Sequence, residues 1–270
     1  MFFAEPYANI NTCQGWFRIS AVMKKIVSAI LILLCFFMMP RDAVSADKIS
    51  VAVAANFISA FKEIARDFEA RTGAKVEATF SSTGRFYAQI KNGAPYDVFL
   101  SADEERPDLL QKEGWTEGIF IYARGQAILW SADKNFCKDT VWSDALKYEK
   151  IKKISMANPQ TAPYGASAKA ALETAGLWDT LQKKLVFAET IAQSFQYAST
   201  GAVDAGFCAL SVTVNPRAND GCFYYLPEAP DIVQAGCVNK NAKNKKCAEL
   251  FAAYLLSDHA AQIKRKYGYR

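Results

Sequence analysis

From Ile49 onward the chain alternates short apolar runs with stretches whose apolar residues recur every three or four positions. Ile49 to Ala54 reads as a buried strand. Phe57 to Arg71 reads as a helix, with Phe57, Ala60, Phe61, Ile64, Ala65 and Phe68 on one face. Gly73 closes it. Lys75 to Phe80 predicts a strand, Gly84 to Lys91 a helix, Tyr96 to Leu100 a strand, and Asp103 to Lys112 a helix that Gly114 ends. This β-α-β-α-β-α order argues for a parallel sheet with helices on both faces, and such sheets take ligands beyond the carboxyl ends of their strands.

A second series starts at Gln126. Ala127 to Trp130, Ile154 to Ala157, Leu185 to Ala188 and Ala205 to Leu210 read as strands, interleaved with helices at Gly165 to Thr174 and Ile191 to Ser199. Strands at Cys222 to Leu226 and Ile232 to Cys237 and a helix from Lys245 to about Lys266 complete the pattern. The expected fold is α/β in two lobes, each a mainly parallel sheet flanked by helices. Residues 47–124 with 214–270 form the first lobe and 125–213 the second, with a ligand cleft at the hinge.

The N-terminus departs from this pattern. Met23-Lys24-Lys25 supplies a positive start, Ile26 to Met39 an apolar run, and Ala43-Val44-Ser45-Ala46 a small-residue cleavage site. The run is shorter than the ~20 residues of a spanning helix, and Pro40 breaks it. Residues 1–46 therefore read as a secretory signal peptide cleaved after Ala46, with an extended start before Met23. The mature chain is expected outside the cytoplasmic membrane, in the periplasm, as a monomer.

Of 270 residues, 51% are hydrophobic and 22% charged, which excludes disorder. Net charge is +5, of which +2 lies in residues 1–46. The remaining basic residues are spread thinly, so nucleic acid is not a partner. Five cysteines remain after cleavage: Cys137, Cys208, Cys222, Cys237 and Cys247. In an oxidising compartment they can pair, and the odd number leaves at least one thiol over. Cys208 reads as buried and free. Cys237 with Cys247 is the preferred pair, one ending a strand and the other opening the next helix. With His259 the only histidine and no CxxC spacing, a zinc site is not expected.

Three strand ends enter helices through short polar or small-residue turns: Ala54-Ala55-Asn56, Phe80-Ser81-Ser82-Thr83-Gly84 and Ala188-Glu189-Thr190-Ile191. The first N–H groups of a helix lack internal partners and carry the positive end of its dipole, so they attract anions. Asn56 can add an amide N–H₂ and Thr83 a hydroxyl. Taken singly, each turn is explained as an N-cap. Gathered in one cleft, they would surround a small anion with donors alone, which suits a fully deprotonated oxyanion. About seven charge-assisted bonds of ~1.5–3 kcal/mol exceed the ~8–12 kcal/mol of micromolar to nanomolar binding, so no arginine clamp is required. Arg85, at the helix start of the second turn, fits a surface ion pair as well as a contribution to the field at the site.

Across these turns the sequence resembles the periplasmic molybdate-binding proteins of ABC transporters. The likeness runs through VAVAANFISAFKEIA, FSSTGRFYAQIKNGAPYDVFLSADEE, ANPQTAPYGASAKAALETAGLWDTLQKKLVFAE and TIAQSFQYASTGAVDAGFCALS. It implies a two-lobe fold of the type II periplasmic binding class, a transported molybdate or tungstate, a membrane permease as partner, and no cofactor or resident metal. It also implies ligand contacts from Ala55 and Asn56, from Thr83, from the backbone N–H and hydroxyl of Tyr164, and from the backbone N–H of Ile191. Ala209 departs from those members that place an anion-binding tyrosine there.

Three other readings compete. Adjacent Tyr224 and Tyr225 suggest ferric-ion capture, although strand alternation would send the rings to opposite faces. An envelope enzyme would need a nucleophile motif, and no G-x-S-x-G occurs; Glu189 beside Thr190 is the remaining acid-base candidate. Sulfate or thiosulfate binding by the same architecture differs in cavity size rather than in chemistry.

Overall fold

Strand β1 (Lys48–Ala54) divides its side chains by parity. Ile49, Val51 and Val53 enter one core with Phe61, Ile64 and Phe68, while Ala52 joins Phe86, Ile90, Phe99 and Leu110 on the opposite face. A sheet covered on both sides follows, as the near-continuous apolar run requires. The computed structural model describes residues 47–138 and 141–270. The expected signal peptide lies outside the described residues.

The chain continues through α1 (Ile58–Thr72), β2 (Lys75–Ser81), α2 (Thr83–Lys91), β3 (Val98–Leu100), α3 (Glu105–Lys112), β4 (Thr116–Gly125) and β5 (Ala127–Ser131). Then come α4 (Trp142–Ala145), β6 (Ile154–Ala157), α5 (Pro163–Thr174), α6 (Trp178–Leu181), β7 (Leu185–Ala188), α7 (Ile191–Ser199) and β8 (Ala205–Ala209). The last elements are β9 (Cys222–Tyr225), β10 (Ile232–Asn239), α8 (Lys245–Leu255) and α9 (Asp258–Lys266). Two five-stranded sheets result, in the orders β2-β1-β3-β10-β4 and β7-β6-β8-β5-β9. In the first, β10 alone runs against its neighbours β3 and β4; in the second, β5 alone runs against β8 and β9. The sheets are therefore mixed, with one reversed strand each.

Helix α1 turns Ala60, Phe61, Ile64, Ala65 and Phe68 into the first core. Burial of that stripe holds it, since truncating a buried phenylalanine costs about 3–5 kcal/mol. Gly73 ends the helix at φ 74°, and its N–H donates to the Glu69 carbonyl at 2.9 Å. A side chain disfavours that left-handed conformation.

Four expectations are corrected. Strand β4 is absent from the predicted pattern because Glu117, Gly118 and exposed Ile119 interrupt its alternation. The helix expected from Lys245 to Lys266 is two, broken where Ser257 adopts extended backbone and its side chain accepts the Ala260 N–H. Strand β9 pairs with β5 in the second sheet and not with the first lobe, so the chain crosses back only with β10. Finally, the disulfide joins Cys137 to Cys222, leaving Cys208, Cys237 and Cys247 free and buried. Cys237 and Cys247 cannot pair because they pack in clusters on opposite faces of the first sheet.

Candidate functional site

Four helix starts meet around one small cavity. From the first lobe, the turn after β1 brings Ala54, Ala55 and Asn56, and the turn after β2 brings Ser81, Ser82 and Thr83, with Ala102 from the end of β3. From the second lobe, the start of α5 brings Ala162, Pro163 and Tyr164, and the start of α7 brings Ile191. Ala55, Asn56, Thr83, Tyr164 and Ile191 are thus brought together, at the carboxyl ends of parallel strands as the fold requires. Ala209 is buried in the core and does not line the cavity. The lining holds no charged side chain.

Local sequence explains why donors are available. In α5, Pro163 occupies the first turn, where a missing N–H costs nothing and φ is already helical. At α7 the Thr190 hydroxyl accepts the Gln193 N–H at 3.1 Å, and the Gln193 side chain accepts the Glu189 N–H at 2.8 Å. This reciprocal cap leaves the Ile191 N–H at the first position, without a carbonyl one turn back. The Thr83 hydroxyl accepts the Ala102 N–H at 2.9 Å, so its own proton is directed elsewhere. Ser82 Oγ is buried without a hydrogen-bond partner. Sequence reasoning passed over Ser82, whose position as the residue before α2 made it look like an ordinary cap.

Asn56 is the most connected residue of the site. Its carbonyl accepts from Ser211 Oγ at 2.9 Å and from Tyr269 Oη at 2.6 Å. Its Nδ2 lies 2.7 Å from Gln234 Oε1, 3.2 Å from Tyr269 Oη and 3.4 Å from Tyr164 Oη. Burial, the dominant cause for each, raises the Tyr122 and Tyr164 hydroxyls well above the ordinary tyrosine range and pushes Tyr269 up to about 12. All three stay neutral at physiological pH and put no negative charge beside the cavity.

The lobes also touch across the cleft mouth. The Gly84 N–H donates to the Thr161 carbonyl at 2.9 Å, and Arg106 Nη2 donates to the Gln160 carbonyl at 3.1 Å. Arg85 and Glu189 form an ion pair at 2.5 Å, both more than half exposed. Neither side chain lines the cavity. Tyr224 donates to the Phe136 carbonyl, whereas Tyr225 is exposed, so the two phenols do not converge. Among the described residues no cluster of three or more His, Cys, Asp or Glu could hold a metal ion, and no helix is long and apolar enough to cross a membrane.

Comparison with known proteins places the site in context. Residues 49–270 match the model of a family described as bacterial extracellular solute-binding proteins. The chain is 40% identical over 232 residues to the molybdate-binding protein ModA of Azotobacter vinelandii, covering 84% of this chain and 91% of that protein. It is 35% identical over 229 residues to ModA of Rhodobacter capsulatus, covering 83% and 89%. The solved periplasmic molybdate-binding protein of Azotobacter vinelandii superposes with a TM-score of 0.78 at 34% identity, covering 82% of this chain and 98% of that one.

Proposed function

The chain belongs to the bacterial extracellular solute-binding protein family, and from that premise we propose that it captures molybdate, or the near-isosteric tungstate, for uptake by an ABC transporter. One observation carries the chemistry: a buried cavity between two lobes, lined by hydroxyls, a carboxamide and first-turn N–H groups, with no charged side chain. Such a site recognises a tetrahedral dianion through fixed dipoles. A carboxylate in the wall would accept a proton from hydrogenphosphate, and none is present.

In this reading the N–H groups of Ala55, Asn56, Tyr164 and Ile191, the hydroxyls of Ser82 and Thr83, and the Asn56 amide donate to the oxyanion. Donors from both lobes make the ligand a bridge, so binding favours the closed arrangement, in which Gly84 reaches Thr161. The closed state is the form a membrane permease would recognise. The protein acts in the periplasm, and cleavage after Ala46 releases it there.

Calorimetric titration of the exported protein with molybdate, tungstate, sulfate, phosphate and ferric ion tests the assignment. Saturable one-to-one binding of molybdate and tungstate is expected. Saturation by sulfate or iron with indifference to molybdate would reverse it.

A further inference from the structure

We propose that Gln234 is a positioning residue that sets the polarity of the anion cavity, by holding the Asn56 amide with its N–H₂ end inward. The inference rests on the molybdate reading of the same cavity and concerns how that cavity rejects protonated oxyanions.

Gln234 is fully buried on β10, one strand away from the cavity wall. Its Oε1 stands 2.7 Å from Asn56 Nδ2 and 3.0 Å from Tyr122 Oη, and its Nε2 stands 3.1 Å from Tyr164 Oη. In this orientation Asn56 Oδ1 is buried with no partner. An orphan acceptor in an anion site is doubly unfavourable, losing its own hydrogen bond and repelling the ligand. Tyr122 meanwhile has one proton and two acceptors in reach, the Ser101 carbonyl at 2.9 Å and Gln234 Oε1.

Turning both amides over by 180° leaves their outline unchanged, gives Asn56 Oδ1 a donor and relieves Tyr122 of its second acceptor, in exchange for the two longer Asn56 Nδ2 contacts to Tyr269 at 3.2 Å and Tyr164 at 3.4 Å. Gln234 Nε2 then donates to Asn56 Oδ1 and to Tyr122 Oη, while Tyr122 gives its proton to Ser101. Gln234 Oε1 accepts from Tyr164, and the Tyr269 proton stays on the Asn56 carbonyl. One group is left over. It is Asn56 Nδ2, now turned toward the cavity with protons to give. Gly125 makes the arrangement possible, because a Cβ there would collide with the Tyr164 hydroxyl and stand 2.6 Å from Gln234 Nε2.

The orientation decides selectivity. An Asn56 carbonyl turned inward would give hydrogenphosphate an acceptor for its proton, whereas an inward N–H₂ denies it one. Gln234 never touches the ligand, yet it chooses between these two sites.

The test compares wild type, Gln234→Glu and Gln234→Met for binding of molybdate and, by competition, hydrogenphosphate near pH 8, where both are dianions. Glutamate has the shape of glutamine but only accepts, so it should draw the Asn56 N–H₂ to itself and turn the carbonyl inward. The molybdate-to-hydrogenphosphate affinity ratio should then fall at least about tenfold, with a smaller fall in Gln234→Met. The added charge weakens both dianions alike and leaves the ratio unmoved. An unchanged ratio in a folded Gln234→Glu protein overturns the proposal. Should that variant not fold, wild-type NMR decides: the Asn56 side-chain amide protons are expected to shift and exchange slowly on saturation with molybdate, and no change overturns it. Failure of the molybdate reading itself appears separately, as a wild type that does not bind molybdate.

Discussion

The Thr83 hydroxyl oxygen accepts the backbone N–H of Ala102 at 2.9 Å, tying the start of α2 to the end of β3. One lone pair is occupied and the hydroxyl proton turned away from Ala102, so the first residue of α2 becomes a directed donor. Thr83→Ala removes that donor and should weaken molybdate binding by about 1–3 kcal/mol, while Thr83→Ser stays close to wild type. Calorimetric titration distinguishes them; equal affinities for all three proteins would remove Thr83 from the site.

Gly84 sits where the lobes come closest. A Cβ there would lie 3.1 Å from both Cα and O of Thr161, which belongs to the opposite lobe and can relieve the crowding by moving away. Gly84→Ala should therefore bias the protein open, costing about 1–3 kcal/mol of molybdate affinity. Solution scattering should show a larger radius for the ligand-saturated variant than for saturated wild type, and superimposable profiles would count against the contact as a closure element.

Lys264 is buried, its Nζ donating to the Tyr122 carbonyl at 2.6 Å and the Leu255 carbonyl at 2.9 Å. Burial, with a smaller contribution from Arg265, lowers its pKa from 10.5 to about 8. Below pH 8 the lysine is charged in both folded and unfolded chains and adds no pH dependence. Between pH 8 and 10.5 the unfolded chain holds the proton and the folded chain releases it, so stability rises with pH, by at most about 1.4 kcal/mol per unit. Denaturant unfolding of wild type and Lys264→Met should show the difference between them moving in favour of wild type from pH 8 to 10, because the raised tyrosines are common to both. A difference independent of pH would mean the folded lysine titrates normally.

The Cys137–Cys222 disulfide closes a sequence separation of 85 residues within the second lobe. In the chain-entropy account a loop of that length restrains the unfolded state by about 4–5 kcal/mol. Reduction, or Cys137→Ser with Cys222→Ser, should lower the thermal midpoint by several degrees and leave molybdate affinity unchanged, since neither cysteine lines the cavity. Loss of affinity in a protein still folded at the assay temperature would show that the bond shapes the site.

Three of the site's turns were readable in the chain because each is written locally. An apolar run followed by Asn56, Thr83 or Thr190 and then a helical stripe states strand, cap and helix within a dozen residues. The A-P-Y-G turn added Tyr164 through resemblance. The strand at Thr116–Gly125 was not readable, because the consecutive exposed residues Glu117, Gly118 and Ile119 interrupt its alternation. Ser82 looked like a cap until its hydroxyl proved buried without a partner.

What the sequence by itself determined is therefore the donor chemistry at each helix start, since capping, dipole and periodicity depend on neighbours a few positions away. What only the tertiary structure decided is how distant positions combine. A glutamine in Ile232–Asn239 carries no local sign of function, and it acquires one because β10 lies between β3 and β4, with Asn56, Tyr122 and Tyr164 all within hydrogen-bond reach. The choice of Cys222 for Cys137 arises in the same way, from the seating of β9 beside β5. Long-range pairings depend on which surfaces the folded sheets bring into contact, and no stretch of chain encodes that alone.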